Sequence, residues 1–177
     1  PLSPVLINDW NGGATYAATD VAFSQDSMSL FVGYQNGYVE LWDINSVNLK
    51  KVSTLTIFPG QYSVDVKIAV STGGDILAVA GQGTVLLFDV SNRKSPNEIG
   101  KISHPHEGAN IDYLWFDPNF INPFLITGGG DNTFHVWNLA DSKFHPVEPY
   151  RTIPRGSGVA NIAISTKYLV VAGDKTL

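Results

Sequence analysis

A related glycine-containing line of sequence occurs four times in this chain of 177 residues, three times with an anchoring aromatic residue, and this repetition limits the possible folds more than any other feature. The four lines are "LFVGYQNGYVELWDI" (30–44), "LAVAGQGTVLLFDV" (77–90), "LITGGGDNTFHVWNL" (125–139) and "LVVAGDKTL" (169–177). The anchoring aromatic residue is Trp42, Phe88 or Trp137, at intervals of 46 and 49 residues. Such a period indicates that one supersecondary unit is repeated along the chain.

Further apolar segments surround these lines. One precedes each line: "ATDVAFS" (18–24), "SVDVKIAVS" (63–71), "NIDYLWFD" (110–117) and "VANIAIS" (159–165). A looser one follows the first three: "LKKVSTLTIF" (49–58), "NEIGKIS" (97–103) and "VEPYRTI" (147–153). They are short, rich in Val, Ile and Thr, and bounded by Gly, Asn, Asp, Ser and Pro, which is typical of strands joined by turns. No segment shows the 3.6-residue period of a helix.

Four short strands repeated every 40 to 50 residues or so predict an all-β protein built as a β-propeller. Runs such as "AVAGQGTVLLF" are apolar at successive positions, as expected of a sheet that is buried on both faces. We expect about three and a half to four blades. The predicted units are residues 1–9 as the last strand of a preceding blade, 14–58, 62–103 and 108–153 as blades, and 158–177 as an incomplete blade.

The third unit carries the most specific motif. It contains His106, Ile111, Leu114 and Phe116, then Thr127, Gly128, Asp131, Thr133, Phe134, Trp137 and Asn138. In these residues the sequence resembles the WD40 repeat family, whose blades read Gly-His, V-x-x-V-x-F, Ser/Thr-Gly-x-x-Asp-x-Thr and Trp-Asp. The other units keep the frame with different residues, since Asn36 and Gln82 stand at the Asp131 position and Phe88 replaces the tryptophan. The long hairpin "FDPNFINPFLITGGGD" is similar to those of eukaryotic members.

The resemblance implies a structural role for Asp131. It places the carboxylate in the turn between the second and third strands, where backbone N–H groups and His106 donate to it, while His106 contacts Thr127 and Thr127 reaches the Trp137 indole. A buried carboxylate is costly unless several donors satisfy it, and a buried indole N–H needs an acceptor. We therefore expect a structural hydrogen-bond network of His106, Thr127, Asp131 and Trp137, in preference to an acid–base pair.

Other chemical motifs are absent or weak. The chain has no cysteine, so disulfides and thiolate chemistry are excluded. "HPHEG" (104–108) lacks a further ligand set with recognisable spacing, and "GGGD" lacks the lysine of a phosphate loop, so we expect neither a metal nor a cofactor. The glycines of "GGGD" are expected to supply positive φ angles in a tight hairpin. Three aspartates occupy a shared position in the units. Asp20, Asp65 and Asp112 lie three residues before Phe23, Ile68 and Trp115, respectively, which indicates a turn or the start of a strand that is repeated in each unit.

Charge and hydropathy narrow the partners and the location. Acidic residues outnumber basic ones 16 to 11, without a basic patch, so nucleic acid is a poor candidate. No arginine pair supports lipid binding, and no apolar run approaches the roughly 18 residues of a membrane span. Since the chain also lacks a signal peptide and an Asn-x-Ser/Thr acceptor, a cytoplasmic or nuclear location is expected.

Two functions follow from these observations. The first is a non-catalytic scaffold that binds proteins or peptides as a WD40-repeat subunit of a multiprotein complex, with Tyr34, Phe120, Tyr150 and Arg155 as candidate contacts. The alternative is a propeller hydrolase with acidic residues in the central channel. Because the family commonly builds seven blades, we expect the remainder of the ring to lie outside this segment. A compact ring of four blades is the other possibility.

Overall fold

The computed structural model describes residues 16–45, 49–60, 64–103, 105–107, 109–118, 124–140, 146, 148–154, 161–164 and 169–172. Within these residues the chain forms fourteen β-strands and no helix. None of the described segments therefore provides a helix that could cross a membrane.

Twelve of the strands form three antiparallel sheets in which neighbours in sequence are neighbours in space. The first sheet contains β1 (Ala18–Phe23), β2 (Ser29–Tyr34), β3 (Tyr38–Asp43) and β4 (Lys50–Thr56). The second contains β5 (Lys67–Val70), β6 (Ile76–Gly81), β7 (Thr84–Asp89) and β8 (Asn97–Ser103). The third contains β9 (Ile111–Phe116), β10 (Phe124–Gly129), β11 (Thr133–Asn138) and β12 (Arg151–Pro154). Strands β13 (Asn161–Ile164) and β14 (Leu169–Ala172) form a further antiparallel pair.

These sheets lie close to the predicted units. The first and second fall within 14–58 and 62–103, and the third falls within 108–153 except that β12 ends one residue later. The pair β13–β14 falls within 158–177. The predicted strand in residues 1–9 lies outside the described residues.

The register shows that the three sheets are copies of one unit. In each, the anchoring aromatic residue of the third strand lies opposite the second residue of the strand before it: Trp42 opposite Leu30, Phe88 opposite Leu77, and Trp137 opposite Leu125. The repeated motif in the sequence therefore corresponds to a repeated position in the sheet.

The Asp or Asn that follows each aromatic residue ends its strand with a local turn. Its side-chain oxygen accepts the N–H of the residue two positions later, in the pairs Asp43–Asn45 at 2.9 Å, Asp89–Ser91 at 2.8 Å and Asn138–Ala140 at 3.0 Å. Short polar side chains favour this bond because it satisfies a backbone donor that the ladder leaves unused.

Strand β6 is buried on both faces, which explains why all six of its residues are apolar or glycine. Leu77 and Val79 belong to an apolar cluster that includes Phe31 of the first sheet. Ala78, on the opposite face, belongs to a cluster that includes Leu125 of the third sheet. The second sheet is thus enclosed between its two neighbours, and this packing carries most of the core.

The first strands of successive sheets also contact one another, β1 with β5 and β5 with β9. Between β1 and the second sheet, the Thr19 hydroxyl donates to the carbonyl of Val66 at 2.9 Å, and the carboxylate of Asp20 accepts the N–H of Ile68 at 2.9 Å. Polar bonds and apolar packing therefore hold adjacent sheets together along the same edge, as the inner strands of propeller blades require.

Replacing Leu77 with alanine tests the double-sided packing. Because the Leu77 side chain is fully buried between sheets, Leu77→Ala should lower the free energy of unfolding by about 2 to 5 kcal/mol. Leu55→Ala, at a half-buried position on β4, is the matched control and should cost less. Urea denaturation followed by tryptophan fluorescence measures both, and equal losses would contradict the packing described above.

Candidate functional site

A chain of side-chain hydrogen bonds crosses the third sheet and joins the four residues that the sequence singles out. His106 Nδ1 lies 2.9 Å from Asp131 Oδ1, and His106 Nε2 lies 2.8 Å from Thr127 Oγ1. The Trp137 indole N–H donates to the same Thr127 oxygen at 2.9 Å. His106 and Thr127 are completely buried and Trp137 is buried. The chain of bonds therefore ties the loop before β9 to β10, to β11 and to the turn between them.

The hydroxyl of Thr127 determines the direction of the protons along this chain. Its oxygen accepts the Trp137 N–H, which leaves its own O–H to donate to His106 Nε2. A neutral imidazole has one donor and one acceptor nitrogen, so the N–H of His106 then lies on Nδ1 and donates to Asp131. Each hydrogen bond from Trp137 through Thr127 and His106 to Asp131 then contains one proton, and each donor has an acceptor.

Asp131 also holds its own turn in place. Its carboxylate accepts the backbone N–H of Thr133 at 3.0 Å and the Thr133 hydroxyl at 2.8 Å, in addition to the bond from His106. Burial raises the pKa of Asp131, but the hydrogen bonds from Thr133 and His106 outweigh burial and hold the pKa below its ordinary value of 3.8. The carboxylate is therefore ionised at neutral pH.

Gly128 and Gly129 make room for aromatic rings, which corrects the prediction that the glycines of this turn supply positive φ angles. A Cβ on Gly128 would lie 2.4 Å from the Phe134 ring, and one on Gly129 would lie 2.5 Å from Cγ of His106. The positive φ in this turn, 62°, belongs to Asn132. Glycine is needed here because buried side chains approach the backbone too closely for any other residue.

His135 is a neighbour of this network that sequence reasoning missed. Its ring centre lies 4.6 Å from that of His106 and 5.5 Å from that of Trp137. Burial lowers the pKa of His135 below its ordinary value of 6.5, and the nearby His106 contributes to the lowering. The repeat gives no signal for His135, because the equivalent residues of β3 and β7 are Glu40 and Leu86 and the three residue types have nothing in common.

His106, Asp131 and His135 also form the one group of potential metal ligands among the described residues, with donor atoms within 4.8 Å of one another. Two ligand atoms on a tetrahedral zinc ion lie about 3.3 Å apart. His106 and Asp131 are closer than this and at hydrogen-bond distance, while the other nitrogen of His106 is engaged by Thr127. The geometry is that of a hydrogen-bonded network.

The second sheet has apolar residues at two of the positions that are polar in the third sheet. Val79 stands at the position of Thr127 and Phe88 at that of Trp137, so neither the acceptor nor the indole donor is present. Replacing both partners of a buried hydrogen bond by apolar groups costs far less than removing one of them. The second and third sheets therefore fill the same two positions in different ways, and neither way leaves a buried hydrogen-bonding group at these positions without a partner.

The four residues predicted to contact a partner differ in their exposure, and the structure describes only two of them. Tyr34 is only 5% exposed and its hydroxyl donates to Glu40 at 2.9 Å, so its selection as a surface contact is wrong. The cause is its position at the end of β2, where the side chain packs with Val32 and Trp42. Tyr150 is 69% exposed, with its ring against the edge of Phe124. Phe120 and Arg155 lie outside the described residues.

Comparisons with known proteins agree with this architecture. Residues 7–43 match the family model described as WD40, WD domain, G-beta repeat. The crystal structure of the RRP9 WD40 repeats superimposes with a TM-score of 0.72 at 18% identity, covering 91% of this chain and 46% of that one. The resemblance to the WD40 repeat family is confirmed. The all-β, WD40-like propeller fold is confirmed as well, and the chain corresponds to part of such a propeller.

Several curated proteins are also similar in sequence. Restriction of telomere capping protein 1 from Lachancea thermotolerans is 26% identical over 170 residues, covering 86% of this chain and 13% of the relative. Cell division cycle 20.6, cofactor of APC complex, from Arabidopsis thaliana is 28% identical, covering 82% of this chain and 31% of the relative. Actin-interacting protein 1 from Caenorhabditis elegans is 25% identical, covering 75% and 21%. The WD40-like segment thus spans less than a third of each of these relatives.

The apolar version in the second sheet suggests a double-mutant test of the polar network. Thr127→Val leaves His106 Nε2 and the Trp137 indole N–H each without a partner and should cost about 1 to 3 kcal/mol of unfolding free energy. Thr127→Val combined with Trp137→Phe should cost less than the sum of the single changes, because the indole donor is then absent. Strictly additive losses in urea denaturation would show that the bond does not couple the two residues.

The two shifted pKa values predict a stability profile with two windows. A lowered histidine pKa favours the neutral ring in the folded state, so stability should fall as the pH drops below 6.5. A lowered aspartate pKa favours the carboxylate, so a further loss should begin as the pH drops below 3.8. His135→Gln should flatten the upper window, and Asp131→Asn should reduce the loss in the lower window, to which the lowered pKa values of Asp26 and Asp89 also contribute. Superimposable profiles of unfolding free energy against pH would contradict both assignments.

Proposed function

We propose that this protein is a non-catalytic WD40-repeat scaffold that binds other proteins as a subunit of a multiprotein complex. The observation that carries the proposal is the state of His106 and Asp131, the histidine–carboxylate pair that could have acted as acid and base. His106 is completely buried and both of its nitrogens are bonded to side chains of the fold. A pair enclosed in this way has no open position for a substrate.

The names of two relatives support the same role. One is called a cofactor of the APC complex and another an actin-interacting protein, and both names describe binding to other macromolecules. The formal net charge of −5 favours protein partners over nucleic acid. A cytoplasmic or nuclear location and a ring completed by blades outside this segment belong to the same proposal.

The described surface offers apolar groups for such a partner. Met28 and Tyr150 are each about half exposed or more. Interfaces concentrate their binding energy in a few residues, and tyrosine is prominent among them. Tyr150 is therefore our candidate anchor.

The alternative, a propeller hydrolase with acidic residues in the central channel, has less support. Asp65 and Asp112 line a cavity of about 180 Å³. Sites for small molecules usually enclose about 300 to 1,000 Å³. The cavity is thus small for a substrate, and His106 is not among the residues that line it.

Purification of the tagged full-length protein tests the scaffold role. We expect stoichiometric protein partners by mass spectrometry, and a mass above that of one chain by light scattering. Tyr150→Ala should weaken a partner that contacts this surface by about 2 kcal/mol or more, whereas Tyr38→Ala, at a less exposed tyrosine, is the matched control. A protein that purifies alone would contradict the scaffold role, and unchanged binding by Tyr150→Ala would contradict the anchor.

A further inference from the structure

A small polar cavity lies between the second and third sheets, at the edge where β5 and β9 begin. Asp65 and Lys67 line it from the second sheet, and Asn110 and Asp112 line it from the third. Gln82, in the turn between β6 and β7, completes the polar lining. Two carboxylates, two amides and one ammonium group thus border the same space.

The two carboxylates of this cavity differ from the other aspartates. Elsewhere, aspartate side chains accept hydrogen bonds from backbone N–H groups or hydroxyls, as seen at Asp20, Asp26, Asp43, Asp75, Asp89 and Asp131. Asp65 and Asp112 accept none from any residue that the structure describes, and neither forms an ion pair with Lys67. Their side chains are exposed, so their bonding capacity is open to a ligand.

The two aspartates of this cavity differ from Asp20 in their position relative to the strands. Asp20 lies within β1 and reaches the N–H of Ile68 in the next sheet. Asp65 precedes β5, and Asp112 lies where the pairing of β9 with β10 shifts register between Ile111 and Tyr113. The strand pairing thus separates Asp112 from Asp20, although the sequence spacing groups them.

The walls and volume of the cavity decide its occupant. About 180 Å³ is too small for a cofactor or a drug-sized ligand. A bare divalent ion wants six or more oxygen ligands, and Lys67 opposes it. The buried side chains of Val64 and Ile111 supply apolar walls beside the carboxylates. A methylene stem packs well on such walls while its charged end reaches acceptors.

We propose that this cavity binds the lysine or arginine side chain of a partner protein. The cation lies between Asp65 and Asp112, and the side-chain oxygen of Asn110 is a further acceptor. Lys67 offsets one of the two negative charges, so the site suits a single positive charge. This inference rests on the proposed scaffold function, since it supplies a chemical specificity for one of the contacts.

Labelled peptides test the cavity on the full-length protein. The probes are fluorescein-labelled Gly-Ser-X-Ser-Gly peptides, blocked at both ends, in which X is arginine, lysine or the neutral isostere citrulline. Fluorescence anisotropy should show binding of the arginine or lysine peptide, weakened about tenfold for citrulline. Asp65→Asn with Asp112→Asn should weaken the charged peptide by about the same factor, because it removes both carboxylates and keeps their shape.

A second double variant controls for net charge. Glu98→Gln with Glu148→Gln removes two exposed carboxylates that do not line the cavity, and it should change binding by no more than about twofold. The cavity proposal is overturned by equal binding of the citrulline peptide, by no binding of either charged peptide, or by equal effects of the two double variants. If partners still co-purify in those cases, the scaffold function stands without this contact. If the charged peptides bind but the protein purifies without partners, the cavity proposal stands and the scaffold function is contradicted.

Discussion

Burial of a sheet on both of its faces is the constraint on which the rest of this structure depends. Strand β6 contributes alternate residues to two apolar clusters, one shared with the first sheet and one with the third. A single sheet of this composition would expose two apolar faces to water, so each unit is stable only beside its neighbours. Stacking of the units in turn creates the spaces between the first strands, where Asp20 bonds across the boundary between sheets and Asp65 and Asp112 line a cavity.

Within this common frame the sheets differ in how they fill the same positions. The third sheet uses a polar chain from Trp137 through Thr127 and His106 to Asp131, in which every buried donor has an acceptor. The second places Val79 and Phe88 at two of these positions. Neither arrangement leaves a polar side-chain atom at these two positions without a partner, which is the costly state. The first sheet combines Val32 with Trp42 at the same two positions, so a tryptophan also occurs here without a threonine.

The residues that sequence reasoning misjudged share one physical cause. The roles of Gly128 and Gly129 depend on how closely Phe134 and His106 approach the backbone, and this distance is set by residues far away in sequence. Tyr34 looks like a loop aromatic in the sequence, yet it ends a strand whose face is covered by Trp42. His135 joins the network because of a ring contact between β11 and the loop before β9. Spacing along one chain does not encode such contacts between elements.

The sequence by itself determined the strand content, the period of the repeat and the equivalence of the anchoring aromatic residues, because alternation, turn residues and repetition are local properties. It also identified His106, Thr127, Asp131 and Trp137, since their motif lies within one unit. Only the tertiary structure decided which carboxylates are hydrogen-bonded to other residues of the protein. Asp20 is bonded to an adjacent sheet whereas Asp65 and Asp112 line a cavity, and this difference depends on where each residue lies relative to the strand pairing and to the neighbouring sheet.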